Sequence, residues 1–140
     1  MILLLPLAGC LEFGDDIELE GEQVDTSVIA EAERITGIDF PEGTEGLNYF
    51  FLGSGIDDAL WLKVIIPEDK KAELLQNQVF EHEVNQPNHN MTLDKSWWSI
   101  KTLDASTSYS IEINNGTDFL GCTIGTERGK LIVYIHWFST

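Results

Sequence analysis

Apolar and polar positions divide the chain into short blocks of different period. Over 27–36, Val28, Ile29, Ala32 and Ile35 recur at helical spacing, while Glu31 and Glu33 fall in the opposite arc. Thr26 before the block and Gly37 after it supply a cap and a stop, so a helix is predicted there. Residues 47–52 form an aromatic run, Gly53-Ser54-Gly55-Ile56-Asp57-Asp58 has turn chemistry, and 60–66 is apolar with β-branched residues, which together predict a hairpin. Pro67 ends that hairpin and suits the first turn of a second helix over 68–80. Glu68 and Asp69 would complement its dipole, and Ala72, Leu75 and Val79 would face inward with Leu74 flanking them.

Residues 81–98 keep no period and predict a long loop. The last third is more regular. Tyr109, Ile111 and Ile113 alternate with Ser108, Ser110 and Glu112, and Asn114-Asn115-Gly116-Thr117-Asp118 is a hairpin signal because Asn and Gly accept positive φ. Strands over 119–126 and 130–138 follow, joined by a turn at Glu127-Arg128-Gly129. Leu131-Ile132-Val133-Tyr134-Ile135 is apolar at every position, so the last strand should be buried on both faces. The expectation is an α+β fold: a mostly antiparallel sheet of about five strands with two helices, in the order α-β-β-α-β-β-β, the helices on one face.

Residues 26–140 suffice for one domain with one core, and a hydrophobic content of 43% argues against disorder. Charge narrows the partners. With 24 acidic against 8 basic residues the net charge is −16, which excludes non-specific nucleic-acid binding and disfavours adhesion to anionic lipid by charge. A basic protein partner is compatible with it. Glu12, Asp15, Asp16, Glu18, Glu20, Glu22 and Asp25 crowd residues 11–25, where like charges extend the chain into a tether. Their spacing does not fit a calcium-binding loop.

Upstream, Ile2, Leu3, Leu4 and Leu5 run into the small residues Ala8 and Gly9, the pattern of a secretory signal peptide. The run is shorter than the roughly 20 apolar residues a membrane-spanning helix needs. Leu7-Ala8-Gly9-Cys10 resembles the lipobox of bacterial lipoproteins at all four positions. The resemblance implies cleavage before Cys10, a diacylglyceryl thioether on its sulfur and an acylated new amino group, which together anchor the chain stably in a membrane. The expected organisation is a signal peptide over 1–9, a lipidated cysteine and acidic tether over 10–25, and the domain over 26–140. No Lys or Arg precedes the apolar run, so the signal peptide is expected to be truncated. Leu11, rather than aspartate, after the cysteine leans towards the outer membrane if the envelope is Gram-negative. With Cys10 lipidated, Cys122 is left as a free thiol in a strand, a small buried hydrophobe.

Candidate chemistry is sparse. His82, within Glu81-His82-Glu83, and His89 are the weak metal-ligand candidates, although in a chain this acidic such groups more often form a solvated surface and no His-Glu-x-x-His spacing is present. His136, between Ile135 and Trp137, is a hydrogen-bonded strand residue or a general base without a visible partner. Asp57 and Asp58 read as turn formers before paired carboxylates. No nucleophile elbow and no phosphate-binding loop occur. Trp97-Trp98 are the candidate ligand- or partner-binding residues, since neighbours on an extended segment point to opposite sides and one should be exposed. Phe50 and Trp61 would add aromatic surface on the other face. No catalytic residue and no cofactor is expected. The expected function is a lipid-anchored envelope binding or interaction module, in one version an acidic inhibitor or immunity-type protein. The alternative is a small envelope enzyme or metal-binding protein using the 81–98 loop and His136.

Overall fold

The protein is described by a computed structural model over residues 16–53, 57–88 and 92–140. The lipobox with Cys10, the first part of the acidic stretch, and His89 lie outside the described residues. In chain order the elements are β1 (Ile17–Glu20), α1 (Thr26–Thr36), β2 (Glu45–Leu52), β3 (Ala59–Ile66), α2 (Lys71–Leu74), β4 (Glu83–Val84), β5 (Asp104–Ile113), β6 (Asp118–Glu127) and β7 (Lys130–Ser139). Single 3-10 turns occupy Gly21–Gln23, Glu68–Lys70, Gln78–Glu81 and Ile100–Thr102. The strands make one seven-stranded sheet in the order β1-β2-β3-β7-β6-β5-β4, antiparallel throughout.

The expected five strands, and the order α-β-β-α-β-β-β, are therefore incorrect. The fold is mostly β, and the two helices are short. One missing strand lies in the stretch expected to be tether. Ile17 and Leu19 pair with Phe51 and Tyr49 and share their face, while Glu18 and Glu20 alternate with them. Charge on an outer strand discourages another sheet from pairing with it, so an acidic run and an edge strand are compatible. The other missing strand, β4, is two residues long and lies inside the expected 81–98 loop, paired with Tyr109 and Ser108.

The predicted helix over 68–80 is broken into α2 and two 3-10 turns. Asn77 causes the break. Its side-chain amide donates to the Leu74 carbonyl at 2.8 Å and to the Asp39 carbonyl at 3.1 Å, and its oxygen accepts from the Asp39 N–H at 2.8 Å. A side chain that competes for backbone groups ends a helix, and here it also clamps the segment after α1. The inward residues become Leu74, Val79 and Phe80, whereas Ala72 is exposed. By contrast, α1 lies within one residue of its predicted span. Asp25, not Thr26, caps it by accepting from the Ser27 and Val28 N–H groups at 3.1 Å, and Gly37 closes it at φ 80°.

The sheet is buried on both sides at its centre. Leu60, Leu62, Val64 and Ile66 of β3, Leu131, Val133, Ile135 and Trp137 of β7, and Leu120, Cys122 and Ile124 of β6 form the first face. Val24, Ala32, Ile38, Phe40, Leu74, Val79 and Phe80 cover it from α1, α2 and the turns. The chain entering α1 crosses the sheet at a β2 bulge, where the register shifts between Gly46 and Asn48. A Cβ at Gly46 would lie 2.3 Å from Val24 Cγ1 and 2.5 Å from the Val24 carbonyl oxygen. Gly46→Ala is expected to lower stability by about 2–3 kcal/mol, the range of overpacking a filled core, read as a lower urea midpoint at unchanged slope.

Candidate functional site

The second face of the sheet carries the site. Here β6 presents Gly121, Thr123 and Gly125, next to His136, Tyr134 and Ile132 of β7, which adjoin Trp61, Lys63 and Ile65 of β3. Small residues along β6 leave a trough, and residues 95–103 fill it as a strap. At one end Lys95 Nζ pairs with Glu18 at 2.9 Å and lies 4.9 Å over the Phe50 ring. In the middle the Tyr134 hydroxyl donates to the Trp97 carbonyl at 3.3 Å and lies 3.2 Å from Ser99 Oγ. At the other end Leu103 is buried on Ile132 and Tyr134, and a Cβ at Gly125 would meet its Cβ at 2.8 Å.

Between this strap and the segment before it is a cleft of about 500 Å³. Its apolar wall is Pro87, Leu93, Trp98 and Ile100, and Gln86, Asn88, Thr92, Ser99 and Lys101 complete its lining. Trp98 is fixed from behind, its ring edge-on to Tyr134 at 5.0 Å and 82°. The geometry separates the two candidate tryptophans. Trp98 lines the cleft; Trp97 does not, and its indole N–H is buried without a hydrogen-bond partner. They do not point to opposite sides as extended neighbours would, because the Trp98 N–H bonds the Lys95 carbonyl in a turn and the two rings meet edge-to-face at 5.7 Å.

The histidines are not brought together. His82 is exposed beside β4, and its carbonyl accepts from the Ser110 N–H. Ser110 is in register with Gly121, and Gly121 with His136, so His82 and His136 are three strand positions apart, roughly 14 Å. Among the described residues no three His, Cys, Asp or Glu side chains gather as metal ligands. Asp57 is exposed and Asp58 half-buried at the β2–β3 hairpin, with the Asp58 carbonyl accepting from the Ser139 N–H. Cys122 is a free, fully buried thiol whose pKa burial pushes well up, which makes it a poor nucleophile.

His136 is 2% exposed, and neither ring nitrogen has a hydrogen-bond partner. The expectation of a hydrogen-bonded strand histidine is thus incorrect. Its neighbours are aromatic: Trp61 at 4.7 Å, Phe138 at 5.5 Å and Phe119 at 6.2 Å. Burial pushes its pKa down to about 3. Tyr134, Leu103, Gly125 and Lys101 were not candidates by sequence. The alternation of Gly121, Thr123 and Gly125 with the apolar Leu120, Cys122 and Ile124 was the available signal.

The depressed pKa has a definite sign. The unfolded chain takes up a proton near pH 6.5 and the folded chain only near pH 3, so acid favours unfolding across that window. Stability is expected to fall by about 2 kcal/mol between pH 7 and 5, while exposed carboxylates are still ionised. His136→Phe, which fits an aromatic neighbourhood and removes two unpaired nitrogens, should abolish that slope in urea titrations at both pH values.

No protein-family model, no curated protein and no solved structure matches this chain.

Proposed function

We propose that the chain is a lipid-anchored binding module of the bacterial envelope that takes its ligand in the cleft beside Trp98. The observation that carries the reading is the cleft itself. Its volume of about 500 Å³ lies in the range of small-molecule sites, its wall is mostly apolar, and its strap is held in place without ligand. Anchoring rests on Leu7-Ala8-Gly9-Cys10, with Cys10 as the acylated residue and the outer membrane favoured by Leu11. Among the described helices none is long and apolar enough to cross a membrane, so attachment in this reading is through lipid. An enzyme built on the 81–98 loop and His136 has less support, since His136 is sealed among aromatic rings and His82 is on a distant strand position.

A second reading, an acidic protein that neutralises a basic envelope partner, is favoured by the net charge of −16 and by the acidic edge strand. It predicts an interaction that weakens steeply with salt, as charge-steered association does.

Two measurements test the main reading. In a bacterial host the full chain should fractionate with membranes and carry acyl mass on Cys10, and Cys10→Ser should move it to the soluble fraction. A bridge between Cys10 and Cys122 would overturn the anchoring. The neutral solvatochromic dye Nile red should bind saturably with blue-shifted emission, and Leu93→Asp should weaken it by about tenfold or more. Dye binding that is absent, or that survives Leu93→Asp unchanged, would sink the cleft as a site.

A further inference from the structure

Resting on the cleft as a ligand site, we infer that its ligand is a monoanionic amphiphile, a fatty carboxylate whose chain lies along Leu93, Trp98 and Ile100 and whose head sits on Lys101. The argument starts from charge. Acids outnumber bases 24 to 8 in this chain, yet among the described residues no Asp or Glu lines the cleft. The contrast is with the cavity of about 420 Å³ beside α1, whose rim holds Glu22, Asp25 and Glu45. A surface this acidic repels anions, so a site that admits one needs a local exemption, and the cleft is where acids are missing.

Lys101 supplies the positive side. Four of the other cations are neutralised within the fold: Arg34 by Glu31, Lys63 by Glu127, Lys70 by Glu73 and Lys95 by Glu18. Lys101 has no carboxylate partner among the described residues. Lys71, Arg128 and Lys130 form no ion pair among the described residues either, but none of them lines the three described cavities. The groove of about 250 Å³ beside the end of α1 has no acid among its described lining residues, but its cation, Arg34, is already paired. Of these three cavities, the cleft is the one where an unpaired ammonium meets an apolar wall.

The single charge selects the head group. One ammonium balances one negative charge, which suits a carboxylate; a phosphate monoester carries nearly two and would leave excess charge facing an acidic protein. The apolar wall selects the body. Gln86, Asn88, Thr92 and Ser99 also line the cleft, but its exposed lining is mostly apolar, and Pro87, Leu93, Trp98 and Ile100 suit a hydrocarbon chain better than a sugar.

The test is displacement of Nile red from the full chain by laurate, dodecanol and dodecyltrimethylammonium, each below its micelle concentration. Laurate should bind about tenfold tighter than dodecanol at low salt, and the cation weakest. Lys101→Gln, an exposed change that leaves the fold intact, should bring laurate down to the level of dodecanol and leave dodecanol unchanged. Equal affinity for laurate and dodecanol, with Nile red still displaced, would overturn the anionic ligand and leave the cleft standing. A preference for the cation would overturn it too. Failure of Nile red itself to bind would remove the cleft, and this inference with it.

Discussion

The constraint on which the rest of the structure depends is that β3, β7 and β6 are buried on both faces at their centres. An antiparallel sheet often leaves one face to water, but here Leu62, Val133 and Ile135 lie on one side and Trp61, Ile132 and Tyr134 on the other, all buried. Both sides need a cover. The first has α1, α2 and their turns. For the second the chain uses residues 95–103, whose only regular piece is the turn Ile100–Thr102. An irregular cover must satisfy its own backbone, and this one does so by closing turn upon turn. Trp98 N–H bonds the Lys95 carbonyl, Thr102 N–H the Ser99 carbonyl and Leu103 N–H the Ile100 carbonyl.

Tyr134 is where sheet and strap meet. It is fully buried, its hydroxyl holds Trp97 and Ser99, its ring receives the edge of Trp98, and Lys63 lies 5.3 Å from its centre. Lys63 is itself 9% exposed, a burial that costs heavily unless the charge is matched. Glu127 matches it at 3.3 Å, an ion pair without the alignment of a hydrogen bond. Further along the same face the compensation stops. Trp61 and His136 pack against each other with the indole N–H and both imidazole nitrogens unpaired. Packing alone gives no reason for histidine at 136.

Which parts of this were legible in the sequence follows from how local their causes are. α1 was readable because its period and its glycine stop lie within a dozen or so residues, although its cap is Asp25 and not Thr26. The double burial of β7 was readable because every position from Leu131 to Ile135 is apolar. The helix over 68–80 was misread because the group that breaks it, Asn77, acts through Asp39, far away in sequence. β1 was misread because charge density masked a two-residue alternation of Ile17 and Leu19 that only a partner strand makes meaningful. At the site, Trp98 could be nominated by type and place, but Lys101 could not. Its distinction is that it forms no ion pair among the described residues, which sequence cannot display in a chain with 24 acids.

These causes converge on why a cleft exists at all. The strap cannot leave the sheet without exposing Tyr134, Ile132 and Leu103, so its position is set by the core and not by any ligand. The segment holding Pro87 and Leu93 reaches the strap after β4 has pinned the chain to the far edge of the sheet. The strap, set by the core, and the described residues before it leave a gap between them. A wall fixed by the core loses little conformational entropy on binding. In the proposed reading selectivity therefore falls to the residues at the border of the cleft. Lys101 is the border residue whose charge has no ion-pair partner among the described residues, so in the proposed reading it is the group that would sort ligands by charge.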